Sequence, residues 1–190
     1  MSKRTREKEK HKQSQRKPFV LSDFLREKNP ILLFLLVFGL LMAVFYAVWV
    51  TDFFKENIFN RALYVNAKIA SFILNIFGFG TTASGMDIYN SDFTVSVKRG
   101  CDAIEPVALF TSAVLAFPAP FRTKLPGVAA GVAFLLSVNI IRIVSLFLTG
   151  IYLPAAFDLM HLEVWQVVFI LLAIVTWLIW IRWAQKKGAA

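Results

Sequence analysis

The chain holds one cysteine, Cys101, and two histidines, His11 and His161, among 190 residues. A single thiol cannot form an intramolecular disulfide, and it excludes a Cys-x-x-Cys dithiol oxidase. His-Glu-x-x-His and paired histidines are both missing, so nothing indicates a metal, and no cofactor is expected. There is no Gly-x-Ser-x-Gly elbow to present a serine nucleophile. Walker and dinucleotide glycine patterns are missing as well. Acidic residues are scarce, 12 against 21 Lys and Arg, which leaves a formal charge of +9. A basic balance can mean nucleic acid, but much of the charge is gathered in one place. Residues 1–30 carry ten of the basic residues and four acids, immediately before a long apolar run. Retention of that head on the cytoplasmic side is the better reading, and no nucleic-acid partner is expected.

Apolar residues, by contrast, are abundant. Hydrophobic residues make up 57% of the chain and aromatics 15%, in uncharged runs that few soluble domains contain, so the class is an integral membrane protein. Residues 1–29 read as a disordered cytoplasmic head, too long, polar and charged for a secretory signal. Residues 30–190 read as one membrane-embedded domain. Its expected spans are 31–50, 103–117, 126–148 and 164–183. The first, at ~1.5 Å per residue, matches the ~30 Å of a bilayer core. The last ends in an interface belt of Trp177, Trp180 and Trp183.

Segment 58–79 is ambiguous. On a helix, Asn57, Arg61, Tyr64, Lys68, Ser71 and Asn75 fall on one stripe. The positive-inside rule helps to place it. The basic head, the loop with Arg122 and Lys124, and the tail with Lys186 and Lys187 should share the cytoplasmic side. Four spans satisfy all three. A fifth at 58–79 would put two basic segments outside, so this segment is expected to be an interfacial or re-entrant helix within an outer-side region, 51–100. In the same region, 86–89 and 93–97 read as strands around an Asn90-Ser91-Asp92 turn, a small β-hairpin outside the membrane. The fold expected is therefore all-α and membrane-integral, with about four spans, an amphipathic helix and a hairpin.

This arrangement puts three chemically capable residues on one side, although their identity played no part in deriving it. Cys101 begins a descending helix at the outer surface. Arg142 is near the outer end of an ascending one, and His161 lies just before the next descent. A lone cysteine can simply be a small core residue. At a helix start, however, beside Lys98 and Arg99, its thiol pKa is expected to fall, with Asp102 opposing. An arginine inside a span costs at least ~2.5 kcal/mol and is seldom idle. Asn139, three residues earlier on the same face, could hold the guanidinium. Asp158 or Glu163 could orient the imidazole. Together the set suits acyl transfer through a thioester: histidine moves the proton, the thiolate attacks a carbonyl, and arginine stabilises the oxyanion or fixes a carboxylate. The alternative is a non-catalytic membrane assembly or substrate-binding protein, in which Arg142 binds an anionic group in a polar cavity.

The residues Gly100-Cys101-Asp102-Ala103-Ile104-Glu105-Pro106, Asn139-Ile-Ile-Arg142-Ile143 and His161 resemble, in order and spacing, the exosortase/archaeosortase membrane transpeptidases, and the short chain resembles the compact exosortase H type. The match covers roughly residues 80–165. The resemblance implies an envelope-sorting cysteine peptidase of the plasma or inner membrane, with both termini cytoplasmic and its site extracytoplasmic. Its partners would be exported proteins ending in a short motif, a membrane helix and a basic tail. Cys101 would be the nucleophile, His161 the acid/base and Arg142 the transition-state or substrate stabiliser. One departure stands out: the family often has Cys-x-Gly, and here Ala103 occupies the glycine position.

Overall fold

A computed structural model describes residues 30–54, 59–98 and 100–188. The basic head, Asn57 and Arg99 lie outside the described residues. Helix α1 (Pro30–Trp49) is followed by a single turn at Asp52–Phe54, and then by α2 (Asn60–Ile76). Three short strands come next, β1 (Thr82–Ser84), β2 (Asp87–Tyr89) and β3 (Thr94–Ser96). Helices α3 (Ile104–Ala116) and α4 (Phe121–Tyr152) follow. A 3₁₀ turn at Pro154–Ala156, an α turn at Phe157–Leu159 and a π turn at Met160–Val164 then lead into α5 (Trp165–Gly188). The protein is a helical membrane protein with a small antiparallel sheet.

Three helical stretches are long and apolar enough to cross a bilayer: Pro30–Trp49, Phe121–Tyr152 and Pro154–Lys187. The expected span at 103–117 forms the 13-residue apolar helix Ile104–Ala116, shorter than these three. At ~1.5 Å per residue it is about 20 Å long and falls short of a bilayer core by itself. It packs against α1, α4 and α5, so its length is set by the bundle around it. Helix α4 overruns expectation in the opposite sense. Its 32 residues start five before Pro126, because Thr123 N–H and Oγ1 both donate to the Pro120 carbonyl and close the first turn upstream.

Segment 58–79 forms α2, which is not among the stretches long and apolar enough to span. Its supposed polar stripe divides. Arg61, Tyr64 and Lys68 are exposed, whereas Ser71 is buried. Ser71 and Asn75 fasten the helix end to Thr81: the Asn75 Nδ2 donates to the Thr81 carbonyl at 2.8 Å, and the Ser71 and Thr81 hydroxyls meet at 2.9 Å. The opposite face, with Leu63, Ala67, Ala70 and Leu74, packs on α4 and the sheet.

The anticipated hairpin is present as β2 and β3, with Ile88 opposite Val95, and β1 adds a third strand in the order β1-β2-β3. Asn90 builds the turn, its Oδ1 accepting from Asp92 N–H at 3.0 Å and Phe93 N–H at 2.9 Å. Thr82-Ala83-Ser84 gave no apolar alternation by which to recognise it as a strand.

Two buried clusters occupy opposite ends of α4. One joins α2, the sheet and α4 through Leu63, Leu74, Ile88, Val97, Ile143 and Phe147, and includes Cys101. The other joins α3, α4 and α5 through Phe110, Val114, Leu135 and Trp180. Gly127 and Gly131, four apart on α4, permit this second contact, since a Cβ at either would overlap the Trp180 or Phe110 ring.

Candidate active site

Cys101 lies in a short connection between β3 and α3. Gly100 takes φ 91°, with open space where a Cβ would be, so its role is the backbone angle rather than close approach. Ala103, the residue preceding α3, has φ 60° and ψ 8°. A left-handed conformation is costly for any residue with a Cβ. A glycine would meet this backbone requirement freely, and Ala103 meets it under strain. Asp102 is buried, and its carboxylate ties the turn together, Oδ1 accepting from Ile104 N–H at 2.8 Å and Oδ2 from Gly100 N–H at 3.3 Å. Sequence reasoning gave Asp102 only an electrostatic part. Its position two residues before a helix start was the available signal for this capping role.

The fold brings Cys101, Arg142 and His161 together. Cys101 Sγ lies 3.2 Å from His161 Nε2, across 60 residues of chain. Arg142, 5% exposed, donates from Nη1 to the Gly100 carbonyl at 2.6 Å and from Nη2 to the His161 carbonyl at 3.2 Å. One guanidinium thus bridges the backbone of the thiol's loop and the backbone of the imidazole's turn. Its Cζ stands 5.6 Å from the Phe169 ring centroid. A side chain that competes for a carbonyl is a known cause of a break in an α ladder. Here the carbonyl it takes belongs to the π turn at Met160–Val164.

Asn139 does not hold the guanidinium as expected. It is fully buried, and its Nδ2 donates to the Cys101 carbonyl at 2.8 Å. The spacing was right and the target wrong, because the α3 approach fills the space beside α4 with backbone. Among the described residues, Asn139 Oδ1 and Arg142 Nε have no hydrogen-bond partner.

The residues proposed to orient the imidazole do not hydrogen-bond to it. Asp158 is exposed and lines a cavity that also reaches Cys101 and His161, whereas Glu163 is exposed and does not line it. The ring instead stacks on Phe157, with centroids 5.9 Å apart and planes at 23°. Phe157 stands four residues before His161, a helical neighbour that was legible in the sequence.

The thiol pKa departs from expectation. Burial pushes it up, the Arg142 charge pulls it back, and Asp102 raises it further. Cys101 sits ahead of the helix cap in a largely apolar cluster, so desolvation outweighs the favourable charge. Burial likewise raises the Asp102 carboxyl, opposed by the two backbone N–H groups and by Arg142.

A cavity of about 430 Å³ opens onto the thiol. It is lined by residues 93–98, by Pro154, Phe157, Asp158 and His161, and by Ile143, Leu146 and Gly150 of α4. No group of three or more His, Cys, Asp or Glu able to hold a metal occurs among the described residues.

Fold and site together define a helical membrane protein with a thiol and an imidazole paired beside a cavity. The family model described as transmembrane exosortase (Exosortase_EpsH) matches residues 29–178, and the chain belongs to that family. No curated protein and no solved structure matches the chain.

Proposed function

We propose that the protein is a membrane cysteine transpeptidase or protease that cleaves the C-terminal sorting signals of exported proteins through a thioester. The observation that carries this reading is the 3.2 Å approach of Cys101 Sγ to His161 Nε2 at the wall of a cavity. The family supplies the class of reaction and the coarse kind of substrate, an exported protein.

In this mechanism His161 Nε2 takes the thiol proton as Sγ attacks the scissile carbonyl. The peptide C–N bond breaks, the leaving amine takes the proton from His161, and the acyl group stays on sulfur. Water or an acceptor amine then attacks the thioester and regenerates the thiol. Pairing with histidine answers the raised thiol pKa, because proton transfer can accompany attack instead of preceding it. Arg142 holds the two halves of the pair in register through the Gly100 and His161 carbonyls. Its charge adjoins the site of the developing oxyanion.

The non-catalytic alternative needed a guanidinium open to an anionic ligand. Both terminal nitrogens donate to backbone carbonyls of the thiol's and the imidazole's own segments, so the guanidinium's contacts serve the Cys101–His161 pair, which favours the catalytic reading. On the same reading α3 with its flanking residues makes the second of four crossings, so that the site is extracytoplasmic and both termini are cytoplasmic, in keeping with the positive-inside bias of the basic head, Arg122, Lys124, Lys186 and Lys187.

The test is processing of a co-expressed exported protein that ends in a short motif, a membrane helix and a basic tail. The Cys101→Ala and His161→Ala chains, present at normal level in the membrane, are expected to leave it uncleaved. Full processing by Cys101→Ala would falsify the proposal.

A further inference from the structure

Strand β3 is the edge of the sheet, and its free edge runs along the cavity that ends at the thiol. Hydrogen bonds fix which of its groups point which way. The Val97 N–H donates to the Met86 carbonyl at 2.9 Å, and the Phe93 carbonyl accepts from Asn90 N–H at 3.0 Å. Residues 93, 95 and 97 therefore turn their backbone groups toward β2. By antiparallel alternation, Thr94 and Ser96 turn theirs away from it.

Residues of both faces of the strand border the cavity. Phe93, Val95 and Val97 come from one face of the strand and Thr94 and Ser96 from the other. A hollow bordered by alternate faces lies along a strand's edge, not against either face. The other lining segment, Pro154 to His161, contributes no strand, so the outward N–H and C=O groups of Thr94 and Ser96 have no backbone partner there. Thr94 and Ser96 are exposed, so this edge is open to pairing with an added chain. The chain then leads from Ser96 to Cys101 within five residues along the same cavity.

We propose that β3 is the substrate subsite: an extended peptide segment adds to it as a fourth strand, pairing with the backbone of Thr94 and Ser96 and so presenting its scissile carbonyl to Cys101. This rests on Cys101 being the nucleophile. Recognition by strand addition draws affinity from the backbone and leaves selectivity to alternate side chains. Those on one side of the added strand meet the apolar residues Ile143 and Leu146, and those on the other meet open space. The subsite is thus suited to a segment with small or apolar residues at every second position.

The experiment uses the full chain in detergent and a peptide warhead, acetyl-Ala-Val-Ala chloromethyl ketone. Its methylene carbon is attacked by sulfur as the C–Cl bond breaks and chloride leaves. Chloroacetone, with the same warhead and no peptide, is the reference, and both rates are normalised to their rates with glutathione. Mass spectrometry follows Cys101 alkylation. The peptide is expected to react at least about tenfold faster than the reference, the gain of two or so added hydrogen bonds. Backbone N-methylation of the peptide, one residue at a time, should abolish that advantage at alternate positions only. Thr94→Pro removes an outward N–H and should abolish the peptide's advantage over chloroacetone too, while Thr94→Ala keeps it.

A peptide with no advantage, or one whose advantage survives every N-methylation, overturns the subsite. The methylation series needs no variant, so it decides the matter even if Thr94→Pro fails to fold. Failure here would leave the Cys101 dependence of processing untouched. Failure of the functional reading would appear as processing by Cys101→Ala, whatever the ketones do.

Discussion

The two ends of α4 are closed by different physics. At the Phe121 end the contacts are steric: Gly127 and Gly131 receive the Trp180 and Phe110 rings. Phe117 meets Trp177 and Trp180 edge-on, and one polar bond, Trp180 Nε1–H to the Thr123 carbonyl at 3.1 Å, completes the join. At the Arg142 end the contacts are polar. Arg142 and Asn139 reach the backbone carbonyls of Gly100, Cys101 and His161, and a cavity stays open beside them. Steric closure in a membrane protein needs only small residues and rings. Holding a thiol and an imidazole 3.2 Å apart at the edge of a hollow needs donors that fix backbone, because packing alone would fill the hollow.

Arg142→Met breaks the polar end most severely. It leaves the Gly100 and His161 carbonyls without their donor and partly empties a buried position, a loss of about 2–5 kcal/mol together with most processing. Thermal unfolding in detergent and the processing assay check the two parts. Arg142→Lys keeps the charge but cannot span both carbonyls, so it should recover stability better than activity. Gly127→Val, at the steric end, should cost about 1–3 kcal/mol by overpacking against Trp180. Because that end is distant in the fold from the thiol, Cys101 alkylation by a small reagent should keep its rate and pH profile. A changed profile would show that the two ends are coupled.

Ala103→Gly relieves the left-handed strain and should stabilise the chain by about 1 kcal/mol, read as a rise in unfolding temperature, with processing retained. Destabilisation would mean that the φ 60° turn is not what the glycine serves.

The smallest effect concerns the thiol's titration. Its pKa is raised by burial, so alkylation should climb with pH through neutrality and reach half-maximum above the ordinary thiol range. Asp102 adds to that rise, and Asp102→Asn keeps an oxygen to accept from Ile104 N–H while removing the charge. The variant's profile should therefore shift to lower pH and its rate at pH 7 increase by about two- to threefold. No shift, or one in the opposite direction, would remove Asp102 from the electrostatics of the site.

Much of this was legible in the chain. Long apolar runs marked α1, α4 and α5, and period-two alternation marked β3 beside an Asn90 turn. A buried arginine, one cysteine and one histidine beyond the basic head announced a site. What could not be read were the partners. Asn139 was set at helical spacing from Arg142, and only the approach of α3 turned it to the Cys101 carbonyl. Arg142 was expected to face a ligand, and only the meeting of loop and π turn gave it two backbone carbonyls.

Sequence alone determined the membrane class and the identity of the reactive groups, because hydropathy and side-chain chemistry are properties of residues taken singly or in local runs. Tertiary structure alone decided that the thiol pKa rises instead of falling, that Ala103 takes a left-handed backbone angle, and that an unpaired strand edge leads to Cys101. Desolvation, backbone angle and the pairing of hydrogen bonds depend on what surrounds a residue in space, and here those surroundings come from segments as far as 60 residues away.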